Sequence, residues 1–93
     1  MNKLVAPTVI SLPTGVIERP LGSIFEIVCE PKGVPYPLLQ WQHNGVNVTN
    51  TYDNKRHYLV DIQSYDFAGK IECIANNGVG EPAVTGITLI VSC

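Results

Sequence analysis

The sequence has few charged and aromatic residues: of its 93 residues, 15% are Asp, Glu, Lys or Arg and 8% are aromatic. The formal net charge of −2 argues against nucleic-acid binding, because nucleic-acid binders normally carry a strongly basic surface. The longest apolar runs are also far shorter than the roughly 20 residues that a membrane-spanning helix needs. The length leaves room for one domain.

Signals for secretion and for catalysis are missing as well. Pro7 and Pro13 interrupt the apolar residues that follow Lys3, so the start of the sequence is not a secretory leader. Ser, His and Asp are scattered without a nucleophile elbow, no glycine-rich loop opens a helix, and no cluster has metal-site spacing. We therefore expect no enzyme activity, no cofactor and no metal, and we interpret residues 1–93 as one domain excised from a longer protein.

Apolar and polar residues alternate with a period of two in several short runs, which is typical of β-strands. Asn44-Gly45 predicts a tight hairpin, since both central residues of a type I′ turn need positive φ. Eight Gly and seven Pro residues mark turns between the runs. The pattern predicts an all-β sandwich or barrel of seven or eight strands, with runs at 8–12, 23–30, 38–42, 46–48, 57–62, 70–76 and 85–92.

The cysteine count is odd, with Cys29, Cys73 and Cys93. Cys29 and Cys73 lie 44 positions apart on the predicted inward faces of two strands, and Trp41 follows the first of them by twelve. A β-sandwich that packs a cross-sheet disulfide against a buried indole has this arrangement.

These residues and two further motifs resemble the immunoglobulin superfamily, specifically its I-set, over about residues 6–91. Residues 73–80 are similar to the family's Cys-x-Ala-x-Asn-x-x-Gly motif, while residues 33–41 and 41–45 are similar to the segments that enter and leave its C strand. The 32 positions from Trp41 to Cys73 are too few for the extra strand of a variable-type domain. The resemblance implies an immunoglobulin-like two-sheet Greek-key sandwich of I-set type, with a Cys29–Cys73 disulfide beside the core residue Trp41. The sequence also resembles domains of neural cell-adhesion proteins, including those of insects.

The sequence departs from the family's pattern at the corner that precedes Cys73. Family members carry Asp-x-Gly-x-Tyr-x-Cys there, whereas this chain has Ile71 in place of the tyrosine and one extra residue between Asp66 and Gly69. We therefore expect no tyrosine-corner hydrogen bond and an altered local geometry at this corner.

Asn47 and Cys93 are candidates for covalent modification. Asn47-Val48-Thr49 is a sequon, which predicts N-glycosylation of Asn47 if the protein is secreted; a chance occurrence is the alternative. Cys93 forms a disulfide with another chain or a following domain, or else is an unpaired residue at the domain boundary.

The histidines and the basic cluster 55–57 are expected to be ordinary surface features. His43 and His57 have no metal-ligand spacing with any Cys or Asp, and we expect both to be solvated. The cluster is interpreted as a solvated loop, with an ion pair between Arg56 and Asp66 as the alternative.

Alternation also places eight residues on the outward face of the strands that correspond to the family's C, F and G strands. These residues are Leu38, Gln40, Gln42, Glu72, Ile74, Asn76, Thr88 and Ile90. Three apolar residues among polar neighbours on an exposed face favour a partner-binding site. The alternative is that Leu38 and Ile90 are covered by the N-terminal strand or by a neighbouring domain.

We interpret the chain as an extracellular or cell-surface adhesion or recognition module. It would bind other immunoglobulin-like domains, homophilically or heterophilically, through this face and its loops, without nucleic acid and without membrane insertion by this segment. The family also includes intracellular structural domains of the sarcomeric kind, in which the same cysteines are usually reduced. A soluble receptor or immune-recognition domain that captures a ligand is the third interpretation.

Overall fold

Eight β-strands and one short 3₁₀ helix make up the regular structure in the computed structural model, which describes residues 3–49 and 51–93. The strands are β1 (Val5–Leu12), β2 (Gly15–Pro20), β3 (Ile24–Val34), β4 (Leu38–His43), β5 (Val46–Asn47), β6 (His57–Asp61), β7 (Gly69–Asn76) and β8 (Ala83–Ser92). The 3₁₀ helix, η1, spans Tyr65–Phe67. Met1, Asn2 and Asn50 lie outside the described residues. In the described part of the chain, no helix has the length and apolar character that crossing a membrane requires.

The strands form two sheets, which confirms the predicted sandwich. The three-stranded sheet has the order β1–β3–β6 and is antiparallel. The five-stranded sheet has the order β2–β8–β7–β4–β5, in which β2 runs parallel to β8 and the other pairs are antiparallel.

The inward side chains of the two sheets form one apolar core around Trp41. Trp41 is fully buried, its ring lies 5.2 Å from the ring of Tyr58, and its Nε1 donates a 2.8 Å hydrogen bond to the carbonyl oxygen of Lys55. The one polar atom of the indole is therefore paired inside the core.

The disulfide predicted between Cys29 and Cys73 is confirmed. It connects β3 of one sheet to β7 of the other, with the two Cα atoms 6.8 Å apart and both residues fully buried. In the loop-entropy account, a disulfide that closes a loop of this size stabilises the fold by about 4 kcal/mol. That is comparable to the net stability of many small domains.

The observed strands differ from the predicted runs in several places, and two of the differences follow from strand pairing. β2 was not predicted, because Val16-Ile17-Glu18-Arg19 does not alternate; it forms through continuous pairing with β8. β3 continues to Val34 rather than ending at residue 30, because β1 pairs with it along this extension. In both cases the partner strand is distant in sequence, and the local pattern does not reveal it.

The β6–β7 corner, residues 62–69, is attached through two side chains to the end of β4 and the turn that follows it. Nε2 of His43 lies 2.8 Å from the carbonyl oxygen of Phe67, and the two rings stack at 4.8 Å. Asn44 donates from Nδ2 to the carbonyl oxygen of Ala68 at 3.0 Å and accepts from the backbone N–H of Lys70 at 2.9 Å. The prediction that His43 is solvated is wrong. β4 extends to this residue, and the side chain is half-buried because it packs against the corner.

Ile71 is fully buried and has no hydroxyl with which to make the tyrosine-corner bond. The hydrogen bonds of His43 and Asn44 hold the corner at this place in the fold.

Candidate protein-binding face

The outward face of the five-stranded sheet brings six of the eight predicted residues together. Register pairs three residues of β4 with three of β7: Leu38 with Asn76, Gln40 with Ile74, and Gln42 with Glu72. Leu38 is 44% exposed, and the others are half-buried by their neighbours on the face. The six residues therefore form two adjacent columns.

Val84 completes an apolar cluster that the sequence interpretation missed. β8 pairs Val84 directly with Ile74, and the valine is 55% exposed. Leu38 lies one diagonal step from Ile74, since its own register partner is Asn76. We call Leu38, Ile74 and Val84 the apolar cluster. The alternation within β8 indicates that Val84 points outward. It was missed because the predicted strand began at residue 85.

Thr88 and Ile90 lie towards the other end of the face. Their register partners on β2 are Val16 and Glu18. At about 3.3 Å per residue, Ile90 is roughly 20 Å along β8 from Val84. Ile90 is 47% exposed, so β1 does not cover it, but it does not belong to the apolar cluster.

Gly86 opens a groove in the face beside the cluster. A Cβ here would collide with the carbonyl oxygen of Ile71 and lie 2.7 Å from the Cα of Glu72. The groove has a volume of about 240 Å³, and the side chains around it include Val16, Lys70, Glu72, Val84 and Thr88. It therefore offers apolar contact together with one charge of each sign to a side chain of a partner protein.

The outward face of the three-stranded sheet also exposes large apolar residues. Ile10, Leu12, Ile24 and Leu59 are between 59% and 62% exposed. This surface was missed because the alternation was applied only to the strands that correspond to C, F and G.

One ion pair and one histidine–carboxylate contact cross this three-stranded face between β3 and the start of β6. Arg56 lies 3.4 Å from Glu30, and His57 lies 3.3 Å from Glu26, with all four side chains about half exposed. The alternative pairing of Arg56 with Asp66 is wrong, because the carbonyl of Arg56 accepts a hydrogen bond from the backbone N–H of Cys29 and holds the residue beside β3. Exposed pairs of this kind contribute little to stability.

The two candidate modification sites lie at different places on the surface. Asn47 is exposed on β5, and its Oδ1 accepts a 2.8 Å hydrogen bond from Nε2 of Gln42. Cys93 is exposed and unpaired at the end of the chain. Among residues 3–49 and 51–93, no three His, Cys, Asp or Glu side chains gather into a potential metal site.

Curated proteins that resemble this chain match most of it but little of their own length. The chain is 34% identical over 78 residues to zebrafish striated muscle preferentially expressed protein kinase, a match that covers 76% of this chain and 3% of that protein. It is 33% identical over 70 residues to human Brother of CDO, covering 71% of this chain and 6% of that protein. No protein-family model matches the chain.

Solved structures resemble the chain over nearly its whole length. Titin M4 superposes with a TM-score of 0.77 at 19% identity, covering 98% of this chain and all of the titin chain. One chain in the structure of Dpr11 IG1 bound to DIP-gamma superposes with a TM-score of 0.78 at 18% identity. The match covers 97% of this chain and 49% of that chain. With the two-sheet sandwich and the Cys29–Cys73 disulfide beside Trp41, these likenesses show that the chain has an immunoglobulin-like fold.

Proposed function

We propose that this immunoglobulin domain is an extracellular adhesion or recognition module that binds other immunoglobulin-like domains through the outward face of its five-stranded sheet. The observation that carries the proposal is the apolar cluster of Leu38, Ile74 and Val84 beside the Gly86 groove. Burying an exposed aliphatic cluster of this kind favours association with another protein. The complex of Dpr11 IG1 with DIP-gamma supports a partner of the same fold.

The proposal includes an oxidising compartment and a longer parent protein. The buried Cys29–Cys73 disulfide supports the first, since such bonds persist outside the cytosol. The small share of each curated relative that the chain matches supports the second, and residues 1–93 would then be one domain of a tandem chain. The domain itself would have no catalytic role, since the match to the zebrafish kinase covers only 3% of that protein.

An intracellular structural module is the second candidate, because titin M4 matches over its full length. A soluble receptor that captures a ligand would use the same kind of face. The state of the cysteines separates the structural candidate from the other two, because reduced thiols are the rule inside the cell.

A binding screen with matched variants tests the role of the face. The probe is a panel of immunoglobulin-domain ectodomains from the source species, this chain included, each displayed on beads. We expect binding to at least one panel member, reduced at least about tenfold by Ile74→Asp or Val84→Asp, because each places a charge in the apolar cluster. The control is Leu59→Asp, on the outward face of the other sheet, which should leave binding unchanged.

Two results would overturn the proposal. One is the absence of binding to every panel member. The other is binding that survives both cluster variants but is lost with Leu59→Asp, which would assign the interaction to the three-stranded sheet. Circular dichroism of each variant separates lost binding from lost folding.

A further inference from the structure

One cross-strand row connects the sequon with the groove. Asn47, Gln42, Glu72 and Gly86 lie on β5, β4, β7 and β8, and each is the register partner of the next. With neighbouring strands about 4.8 Å apart, Asn47 is roughly 14 Å from Gly86. Asn47 is therefore an edge residue of the proposed binding face.

The side chain of Asn47 lies on the outward side of the sheet. Its Oδ1 accepts the hydrogen bond from Gln42, whose side chain belongs to the face. This bond orients the amide and leaves Nδ2 without a hydrogen bond to any described residue. Because Nδ2 is the atom that carries an N-linked glycan, glycosylation breaks no hydrogen bond between Asn47 and the described residues.

We propose that Asn47 carries an N-linked glycan that overlies Gln42 and Glu72 and confines partner binding to the β7–β8–β2 side of the face. The proposal rests on the proposed function for the identity of the binding face. In the transfer, Nδ2 forms a bond to C1 of an oligosaccharide. The bond from C1 to the pyrophosphate oxygen of a polyprenyl-pyrophosphate donor breaks, and the amide proton leaves with the released polyprenyl pyrophosphate.

The positions along the row set which part of the face the glycan covers. Gln42 and Glu72 lie about 5 and 10 Å from Asn47, so a bulky, branched oligosaccharide stands over both. Gly86 lies a further strand away, and Val84 lies beside it on β8. The side of the groove formed by Val16, Lys70 and Thr88 and the β8 part of the apolar cluster therefore stay open to a partner, whereas the Glu72 side of the groove lies under the glycan.

Carboxylate labelling tests the placement of the glycan without any partner. The chain, secreted from a eukaryotic host, is treated with a carbodiimide and an amine, and labelling rates are read by peptide mass spectrometry. The reference is the same preparation trimmed by an endoglycosidase to one sugar, which keeps Asn47 itself unchanged. We expect Glu72 to be labelled about threefold or more slowly in the untrimmed form, since a bulky glycan stands over it. Glu30, on the other sheet, should be labelled equally in both.

A relocated sequon provides the matched control. Asn47→Gln combined with Leu59→Asn and Asp61→Thr moves the glycosylation site to the outward face of the three-stranded sheet. Protection should then move from Glu72 to Glu26, the register partner of residue 59. Substituting Thr49 is a poorer way to remove the sequon, because its Oγ1 accepts a hydrogen bond from the backbone N–H of Trp41.

Unmodified Asn47 in the secreted chain, or equal labelling of Glu72 in the two forms, would overturn the proposal. The binding screen separates this failure from failure of the proposed function. One possible result is slow labelling of Glu72 together with binding that Ile74→Asp and Val84→Asp leave unchanged. It would support the proposed position of the glycan and overturn the proposed binding face. The opposite result is loss of binding with those variants but equal labelling of Glu72 in the two forms. It would support the proposed binding face and overturn the proposed position of the glycan.

Discussion

The side chain of Asn44 occupies the space that any Cβ at residue 69 would need. A Cβ built on Gly69 collides with the Oδ1 of Asn44 and lies 2.7 Å from its Cγ, and Gly69 has a φ of 125°. The same Asn44 side chain bonds the backbone on both sides of Gly69, at Ala68 and Lys70. The glycine and the asparagine are therefore coupled, and together they attach the β6–β7 corner to the turn between β4 and β5.

Asn44→Gly isolates the contribution of the side chain. Asn44 has a φ of 51°, which glycine adopts without strain, so in the folded state the variant loses the two side-chain hydrogen bonds and gains no backbone strain, while the unfolded chain gains some conformational entropy. We expect a loss of about 1–3 kcal/mol in the free energy of unfolding, measured by guanidinium denaturation. Asn44→Asp keeps the acceptor for the Lys70 N–H but loses the donor to the Ala68 carbonyl. Its free energy of unfolding should therefore lie between those of the wild type and Asn44→Gly. Unchanged stability of Asn44→Gly would show that these bonds do not hold the corner.

A double-mutant cycle tests the coupling of Asn44 and Gly69. Gly69→Ala alone should destabilise the domain through both the collision with Asn44 and the positive φ. In the Asn44→Gly background the collision is gone, so the same substitution should cost at least about 1 kcal/mol less. Equal costs in the two backgrounds would contradict the coupling.

Gly86→Ala should be far more costly than Gly78→Ala. At Gly86 the added methyl group meets the backbone of Ile71 and Glu72, which cannot rotate away, so the strands must separate. We expect a loss of about 2–3 kcal/mol. Gly78 has a φ of 78° with open space around it, so alanine there should cost about 1 kcal/mol through strain alone. Thermal unfolding of both variants makes the comparison. Equal losses of stability would show that the backbone of Ile71 and Glu72 does not exclude a side chain at residue 86.

Stability should fall at alkaline pH through Tyr58. Burial raises the pKa of the Tyr58 phenol above its usual value of 10.0, because the charged form is disfavoured beside Trp41. Below about pH 10 the phenol is neutral in both states and adds no pH dependence. Above that pH the unfolded state releases the proton first, so stability falls as the pH rises towards the folded-state pKa. Unfolding curves at about pH 8 and pH 11 should show a smaller loss for Tyr58→Phe than for the wild type. An equal loss in both proteins would contradict this role.

The sandwich, the disulfide and most of the outward face could be predicted because each depends on period-two alternation. That pattern assigns Cys29, Trp41 and Cys73 to the inside, and Leu38 and Ile74 to the outside, without knowledge of which strands are neighbours. The register then places Leu38 and Ile74 close together because β4 and β7 are both regular.

The features that were missed depend on contacts between residues far apart in sequence. β2 exists through parallel pairing with β8, some 70 residues later, and its own residues do not alternate. His43 bonds a carbonyl 24 residues away, which its surroundings in the sequence do not indicate. Gly86 resembles an ordinary turn glycine until the backbone of the neighbouring strand is seen beside it.

The central claim, an extracellular recognition domain rather than an intracellular structural one, depends on the redox state of the cysteines. Titration of free thiols under denaturing conditions, on protein isolated from its natural source with thiols blocked at lysis, measures this directly. Because Cys29 and Cys73 are bonded and Cys93 is exposed and unpaired, an extracellular domain carries at most one free thiol in this segment. Three free thiols would contradict the account and favour the structural module.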